Sequence, residues 1–172
     1  MKYSNLIRER YSVRKLTSQP VEADKIAAIL EAARVAPTAR NQQPWRILVL
    51  RDANAMEKLK ACTERTFGAP MALVVCCRAD EAWVRPCDGY NSGVIDTAIV
   101  ATHIMLAVHN LGLGSTWIGH FNPDPLRRDF NIPQSLEPLA IFPIGYLDPE
   151  ARPASKHATR RPLEESIIYD RF

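Results

Sequence analysis

Residues 92–119 read SGVIDTAIVATHIMLAVHNLGLGSTWIG. As far as Leu111 this is the longest apolar-rich segment of the chain, and it contains no Pro, Lys or Arg. Such a run suits either a membrane span or a helix buried in a core. Asp96, His103, His109 and Asn110 interrupt it, and no basic residue flanks it closely. A charge within a span costs about 2.5–3.5 kcal/mol, so the pattern predicts a central core helix. Ser92 stands near its N-cap and Gly112 near its C-cap. Gly112, Gly114 and Gly119 then lead out of the helix into a strand. This order rejects a dinucleotide-binding loop, which runs from strand to helix and has the spacing G-x-G-x-x-G. The glycine cluster is either a cap and tight turn or a place where backbone approaches a flat ligand without a Cβ.

On either side of this segment the elements are shorter. Val21–Val35 has a helical apolar period that ends before Pro37. Arg46–Leu50 and Met71–Cys77 are apolar, β-branched runs that read as strands, with a helix over Ala53–Cys62 between them. Leu139–Leu147 reads as a further strand, and Pro143 places it at a sheet edge or a bulge. Eight of the 13 prolines fall from Pro123 onward, so the last third is expected to hold loops, short helices and edge strands, with an extended tail. Helix, strand, helix, strand, long helix, strand describes an α+β sandwich around one sheet.

The chain has 172 residues, which predicts a single domain over 1–172, since domains commonly run ~100–150 residues. No apolar secretory segment opens it. Cys62, Cys76, Cys77 and Cys87 form no C-x-x-C pair, and adjacent strand residues point to opposite faces. They read as reduced thiols of a cytoplasmic protein. A net charge of +3 is too small for a general nucleic-acid surface. No nucleic acid, membrane or metal partner is expected.

The distribution of charge says more. Lys2, Arg8, Arg10, Arg14 and Lys15 crowd one end; Arg152, Lys156, Arg160 and Arg161 crowd the other. From Cys87 to Leu126 there is no Lys or Arg. If the termini meet, as they often do, the two ends form one anion site; otherwise they are solvated basic tails. Arg10, Ser12 and Arg14 alternate, so an extended backbone points all three the same way, a row suited to phosphate. Between the first helix and the first strand lies Ala36–Trp45, APTARNQQPW. It is either a plain connection or a rigid hydrogen-bonding loop for a polar ring edge. The histidines have no i, i+4 pair, and neither a G-x-S-x-G nor a phosphate-binding P-loop occurs. Anion and amide contacts without an evident nucleophile fit chemistry borne by a bound cofactor.

Arg10-Tyr11-Ser12-Val13-Arg14, APTARNQQPW, GLGSTWIG and the basic stretch ending TRRPLEE follow one another as in FMN-dependent nitroreductases, and nearly the whole chain resembles that family. The resemblance implies a nitroreductase-like α+β sandwich, its central sheet mostly antiparallel and flanked by helices, in an intertwined homodimer. Two FMN molecules would lie at the interface. By position, Arg10 and Ser12, flanked by Tyr11, resemble the phosphate and ribityl contacts, and Arg14 the cation near the flavin pyrimidine edge. Pro37, Thr38, Ala39, Asn41 and Gln43 resemble the loop that reaches the partner's flavin. Trp117, Ile118 and Gly119 resemble the strand along the ring, and Arg160 or Arg161 the second phosphate cation. Tyr11 and His120 depart from common family choices. His120 is either structural or close to substrate. Asn54 and residues 63–69 are candidates for further ring contacts, and Asp80–Tyr90, with Trp83 and Arg85, for acceptor choice. The implied activity is a ping-pong transfer of hydride from NAD(P)H, through flavin N5, to a small acceptor such as a nitroaromatic or quinone. Alternatives are a relative with another reductive task, such as dehalogenation or enoate reduction, or a flavin-binding storage or sensor protein without turnover.

Overall fold

A computed structural model describes residues 2–172. Strand β1 (Trp45–Leu50) pairs antiparallel with β2 (Met71–Cys77), and β2 pairs antiparallel with β4 (Glu137–Gly145). The two-residue β3 (Gly114–Ser115) closes the other side of β4, giving the sheet order β1-β2-β4-β3. All seven residues of β2 are buried, so the sheet needs cover on both faces.

Strand alternation divides the core in two. Ala72, Val74, Cys76 and Ile141 face one cluster with Met56 and Leu59 of α3 (Ala53–Lys60) and Leu126 of α5 (Pro123–Phe130). Met71, Leu73, Val75, Phe142 and Ile144 face the other, against Ile29 and Ala33 of α2 (Ala23–Arg34) and Val100, Ile104 and Val108 of α4 (Gly93–Asn110). Cys76 and Cys77 point to opposite faces as alternation requires: Cys77 Sγ lies toward Gly93 of α4. Burial pushes the Cys76 thiol up to about 11, so it is an inert core group.

The long apolar run is the core helix α4, packed on α2 and the sheet. Its residue Ser92 occupies the N-cap position, but the hydroxyl caps no backbone N–H and instead donates to Asp96 Oδ2 at 2.7 Å. Gly112 follows the helix at φ 75°, the left-handed geometry that suits glycine. The sequence pattern misses α1 (Tyr3–Glu9), β3 and α5, each too short for a periodic signal.

Pro143 requires a correction. It lies in an interior strand, opposite Ala72 of β2, and not at an edge; β4 does carry an irregularity, but between its pairings at Pro138 and Ala140 and not at Pro143. Ile141 exchanges both backbone hydrogen bonds with Ile118, so alternation turns the Pro143 nitrogen to that same side. There the pairing is interrupted between Ser115 and Ile118. The register runs on through the break with Thr116 opposite Pro143, so the ladder is open where the proline has no N–H to donate. The same interruption corrects the strand expected through Trp117–Gly119: only Ile118 pairs, in a single bridge.

Gly114 brings the 10–17 segment onto β3. A Cβ on it would lie 2.8 Å from Leu16 Cδ2 and 3.0 Å from Val13 Cβ. Gly114→Ala is expected to lower unfolding stability by about 1–3 kcal/mol, the usual cost of overpacking, measured as a shift in the urea midpoint at constant slope.

Candidate functional site

The two basic ends of the chain converge. After α1 the chain is extended, and Val13 N–H donates to the Ser115 carbonyl at 2.9 Å. Leu16 then bridges Leu147, flanked by Thr17 N–H to Tyr146 O at 2.9 Å and Asp148 N–H to Lys15 O at 3.2 Å. Lys15 adds ion pairs to Glu150 and to Asp148. This pairing fastens the first residues to the exit of β4. Beyond it, the turn Ser155–Ala158 returns the chain over Tyr11, whose ring meets His157 edge-on at 5.9 Å between centroids.

Between them lies a cavity of about 250 Å³ lined by Arg10, Tyr11, Ser12, Arg14, Ala154, Lys156, His157 and Arg160. Burial, reinforced by the nearby charge of Arg160, lowers the Arg10 pKa from its ordinary value. Guanidinium groups stay charged in proteins, so the cluster holds like charges together beside a serine hydroxyl. That donor set fits a phosphate monoester, which takes bidentate guanidinium and hydroxyl bonds. Arg160 belongs to the cavity. Arg161 does not line it, and reaches Glu165 at 3.9 Å. Lys156 and His157 complete the lining; the first was visible only as part of a basic tail, and the second carried no signal at all.

The glycine cluster adjoins this cavity through the Val13–Ser115 bond. Ser115 and Thr116 are buried, whereas the Trp117 ring is 36% exposed and packs edge-on against Phe142 at 5.4 Å. Ile118 is held in its bridge, and Gly119 and His120 are exposed. Thr63 Oγ1 donates to the His120 carbonyl at 3.1 Å, and Asn122 N–H donates to Cys62 O at 2.8 Å. These bonds clamp residues 62–63 beside 120–122. The His120 side chain faces a cavity of about 700 Å³ shared with Thr63, Glu64 and Arg65. Thr66, Gly68 and Ala69 instead line a cavity of about 650 Å³ with α3 residues; Asn54 is exposed and lines neither.

The Ala36–Trp45 loop lies elsewhere. Pro37 and Asn41 are exposed, Thr38 and Ala39 half-buried. Thr38 Oγ1 accepts the Gln43 N–H at 3.0 Å, and Gln43 Nε2 donates to Asn41 O at 3.2 Å. Ala39 N–H donates to Asp96 at the N-terminal end of α4. The Arg10 cluster is near His109 at the opposite end, where α1 packs on α4. Thirteen residues of helix separate Asp96 from His109, roughly 20 Å at 1.5 Å per residue. One chain therefore does not bring the loop to its own basic cluster.

The nitroreductase family model matches residues 7–63 and 57–146, which include the 10–14 row, the loop and the glycine cluster. The chain belongs to the nitroreductase family. A relative from Methanothermobacter thermautotrophicus, provisionally named NADH dehydrogenase/NAD(P)H nitroreductase, is 32% identical over 172 residues, covering 95% of this chain and 83% of its own. A nitroreductase family protein from Clostridium difficile 630 has a crystal structure of TM-score 0.92 to this one, at 38% identity over 100% of both chains. A provisionally assigned nitroreductase from Exiguobacterium sibiricum, crystallised in complex with FMN, shares the fold at TM-score 0.85 and 17% identity, covering 98% of this chain and 97% of its own.

The burial of His109 predicts a pH-dependent stability at this end of the chain. Its Nε2 is shut off from solvent with no hydrogen-bond partner among the described residues. Burial lowers its pKa from the ordinary 6.5, Glu9 opposing the shift and Arg10 adding to it. The unfolded chain then binds the proton more readily, so stability present above 6.5 is lost as pH falls below it. Urea unfolding at about pH 7.5 and about pH 5.5 should show this loss, and His109→Met should reduce it.

Proposed function

We propose that this nitroreductase is an FMN-dependent oxidoreductase, reducing a small acceptor such as a nitroaromatic or quinone at the expense of NAD(P)H. The observation that carries this reading is the convergence of Arg10, Ser12, Arg14, Lys156 and Arg160 on one phosphate-sized cavity beside the Gly114–Gly119 segment. FMN, when bound, would supply two-electron redox chemistry between NAD(P)H and the acceptor, held by the residues of this cavity.

The chain supplies binding and orientation. Arg10 and Arg160 neutralise the phosphate, with Ser12 as a hydroxyl partner and Tyr11 alongside. Arg14 would place positive charge near the pyrimidine edge of the bound ring. Of the Trp117–Gly119 backbone, the Ile118 N–H is held by Ile141 O, so the N–H groups of Trp117 and Gly119 would be the ones to face the ring. Pro37, Thr38, Ala39, Asn41 and Gln43 of a second chain complete the polar edge. His120 is available at the rim with no required catalytic role, and Arg161 is released from the phosphate set.

The unit is a cytoplasmic homodimer of single 172-residue domains. Two features support a second chain. The loop and the basic cluster sit at opposite ends of α4, so one flavin needs a loop from elsewhere. Apolar surface also stands unpartnered: Val94 and Ile95 of α4 are 56% and 49% exposed, and Leu163 and Tyr169 of the tail are 71% and 82% exposed. Exposed apolar patches of this kind mark association surfaces.

The purified protein should be yellow or gain flavin absorbance on adding FMN, and NAD(P)H should bleach that absorbance anaerobically. A protein that binds no FMN would sink the reading, and bound flavin that NAD(P)H leaves oxidised would indicate storage or sensing. Arg10→Ala and Arg160→Ala are each expected to weaken FMN binding about tenfold or more, the worth of a charge-assisted bond. Arg161→Ala should stay within about twofold, since exposed pairs contribute little. Fluorescence-quench titration with FMN, alongside urea unfolding, separates affinity from stability.

A further inference from the structure

The Ala36–Trp45 loop holds a costly backbone. Arg40, Asn41 and Gln43 have φ of 50°, 56° and 52°, the left-handed region where a Cβ is disfavoured. Consecutive residues of this kind persist only when their surroundings over-determine them. Bonds within the loop supply part of that constraint. The outer anchor comes from α4.

Asp96 is only 2% exposed. Its Oδ1 accepts the Ala39 N–H at 2.8 Å, and its Oδ2 accepts the Ser92 hydroxyl at 2.7 Å. Thr97, one residue on, reaches the Pro44 carbonyl at 3.4 Å. Burying a carboxylate is unfavourable unless hydrogen bonds satisfy it. The buried face that Asp96 shares with Val100, Ile104 and Val108 is otherwise mostly apolar; its first-turn position favours an acid through the helix dipole, but packing on that face does not call for one. Its bonds run instead to the loop and to the residue that orients it. Ser92 makes no cap bond of its own, which leaves its hydroxyl to fix the carboxylate.

We propose that Asp96, oriented by Ser92, is a positioning residue that presets the 37–43 loop for the flavin of a second chain. The inference rests on the FMN reading above. Asp96 does not touch the cofactor. It acts through the Ala39 N–H, holding the first turn of the loop so that the strained residues after it do not relax. The benefit is preorganisation: the ordering cost is met on folding and not on binding.

The test uses the full-length chain with Asp96→Ala, Asp96→Asn and Ala39→Pro. FMN affinity is read by fluorescence-quench titration. Hydrogen exchange of the segment containing Ala39 is read on the cofactor-free protein. Asp96→Ala should weaken FMN binding about tenfold or more and speed loop exchange by a similar factor. Asp96→Asn should restore both to within about threefold, because a carboxamide oxygen accepts the Ala39 N–H and its amide can donate to Ser92.

Ala39→Pro keeps Asp96 and deletes only the N–H. Thr38, which precedes it, is extended (φ −136°, ψ 157°), the conformation that a residue before proline takes. This variant should lose FMN affinity as Asp96→Ala does, and it tests the bond should Asp96→Ala fail to fold. A folded Asp96→Ala or Ala39→Pro protein with FMN affinity within about twofold of wild type and unchanged loop exchange overturns the proposal. Wild-type protein that binds no FMN overturns the cofactor reading, and the exchange measurement then reports separately on the Asp96 anchor.

Discussion

Every side chain of β2 from Met71 to Cys77 is buried, so neither face of the sheet can be left to water. That constraint fixes the rest. Helices α2 and α4 must cover one face, and α3 and α5 the other. The apolar length of α4 follows from its place against the sheet and α2, and the exit of α4 must then return the chain to the far side of β4. Gly112 and Gly114 make that return possible, one by its left-handed turn and one by admitting Val13 and Leu16 against the backbone.

The site follows from the same geometry. Once β3 lies on β4, residues 10–17 find backbone partners at Ser115 and at Tyr146–Asp148. The basic row Arg10, Ser12, Arg14 is thereby carried to where the tail returns with Lys156 and Arg160. Like charges held this close oppose folding unless an anion joins them. A phosphate ligand would resolve that conflict, and its binding would stabilise the folded chain by mass action. The loop problem has the complementary form. Left-handed Arg40, Asn41 and Gln43 are unfavourable in isolation, and the buried Asp96 lies where the helix meets the loop.

Particular residues show how much could be read in advance. The strands at Arg46–Leu50 and Met71–Cys77 and the helix at α4 were legible because burial writes continuous apolar runs into the sequence, bounded by turn residues or kept free of proline. The row Arg10, Ser12, Arg14 was legible because alternation needs only local extension. Pro143 was misread because its meaning depends on the partner opposite its nitrogen, and that partner, the break before Ile118, belongs to a different segment. Asp96 appeared as an interruption of an apolar run; nothing local ties it to Ala39, 57 residues away. Arg160 and Arg161 are neighbours in one basic stretch, and only the path of the turn Ser155–Ala158 separates their roles.

The sequence by itself determined the α+β class, the central helix, the two early strands and the segregation of positive charge to both ends. These depend on periodicity and composition, which are local and additive along the chain. Only the tertiary structure decided that the basic ends meet, that Arg160 and not Arg161 faces the cavity, and that the 36–45 loop stands at the opposite end of α4. Those are matters of long-range pairing. The energy that selects them comes from backbone bonds and buried contacts between segments more than a hundred residues apart, such as Leu16 with Leu147, and no local pattern records it.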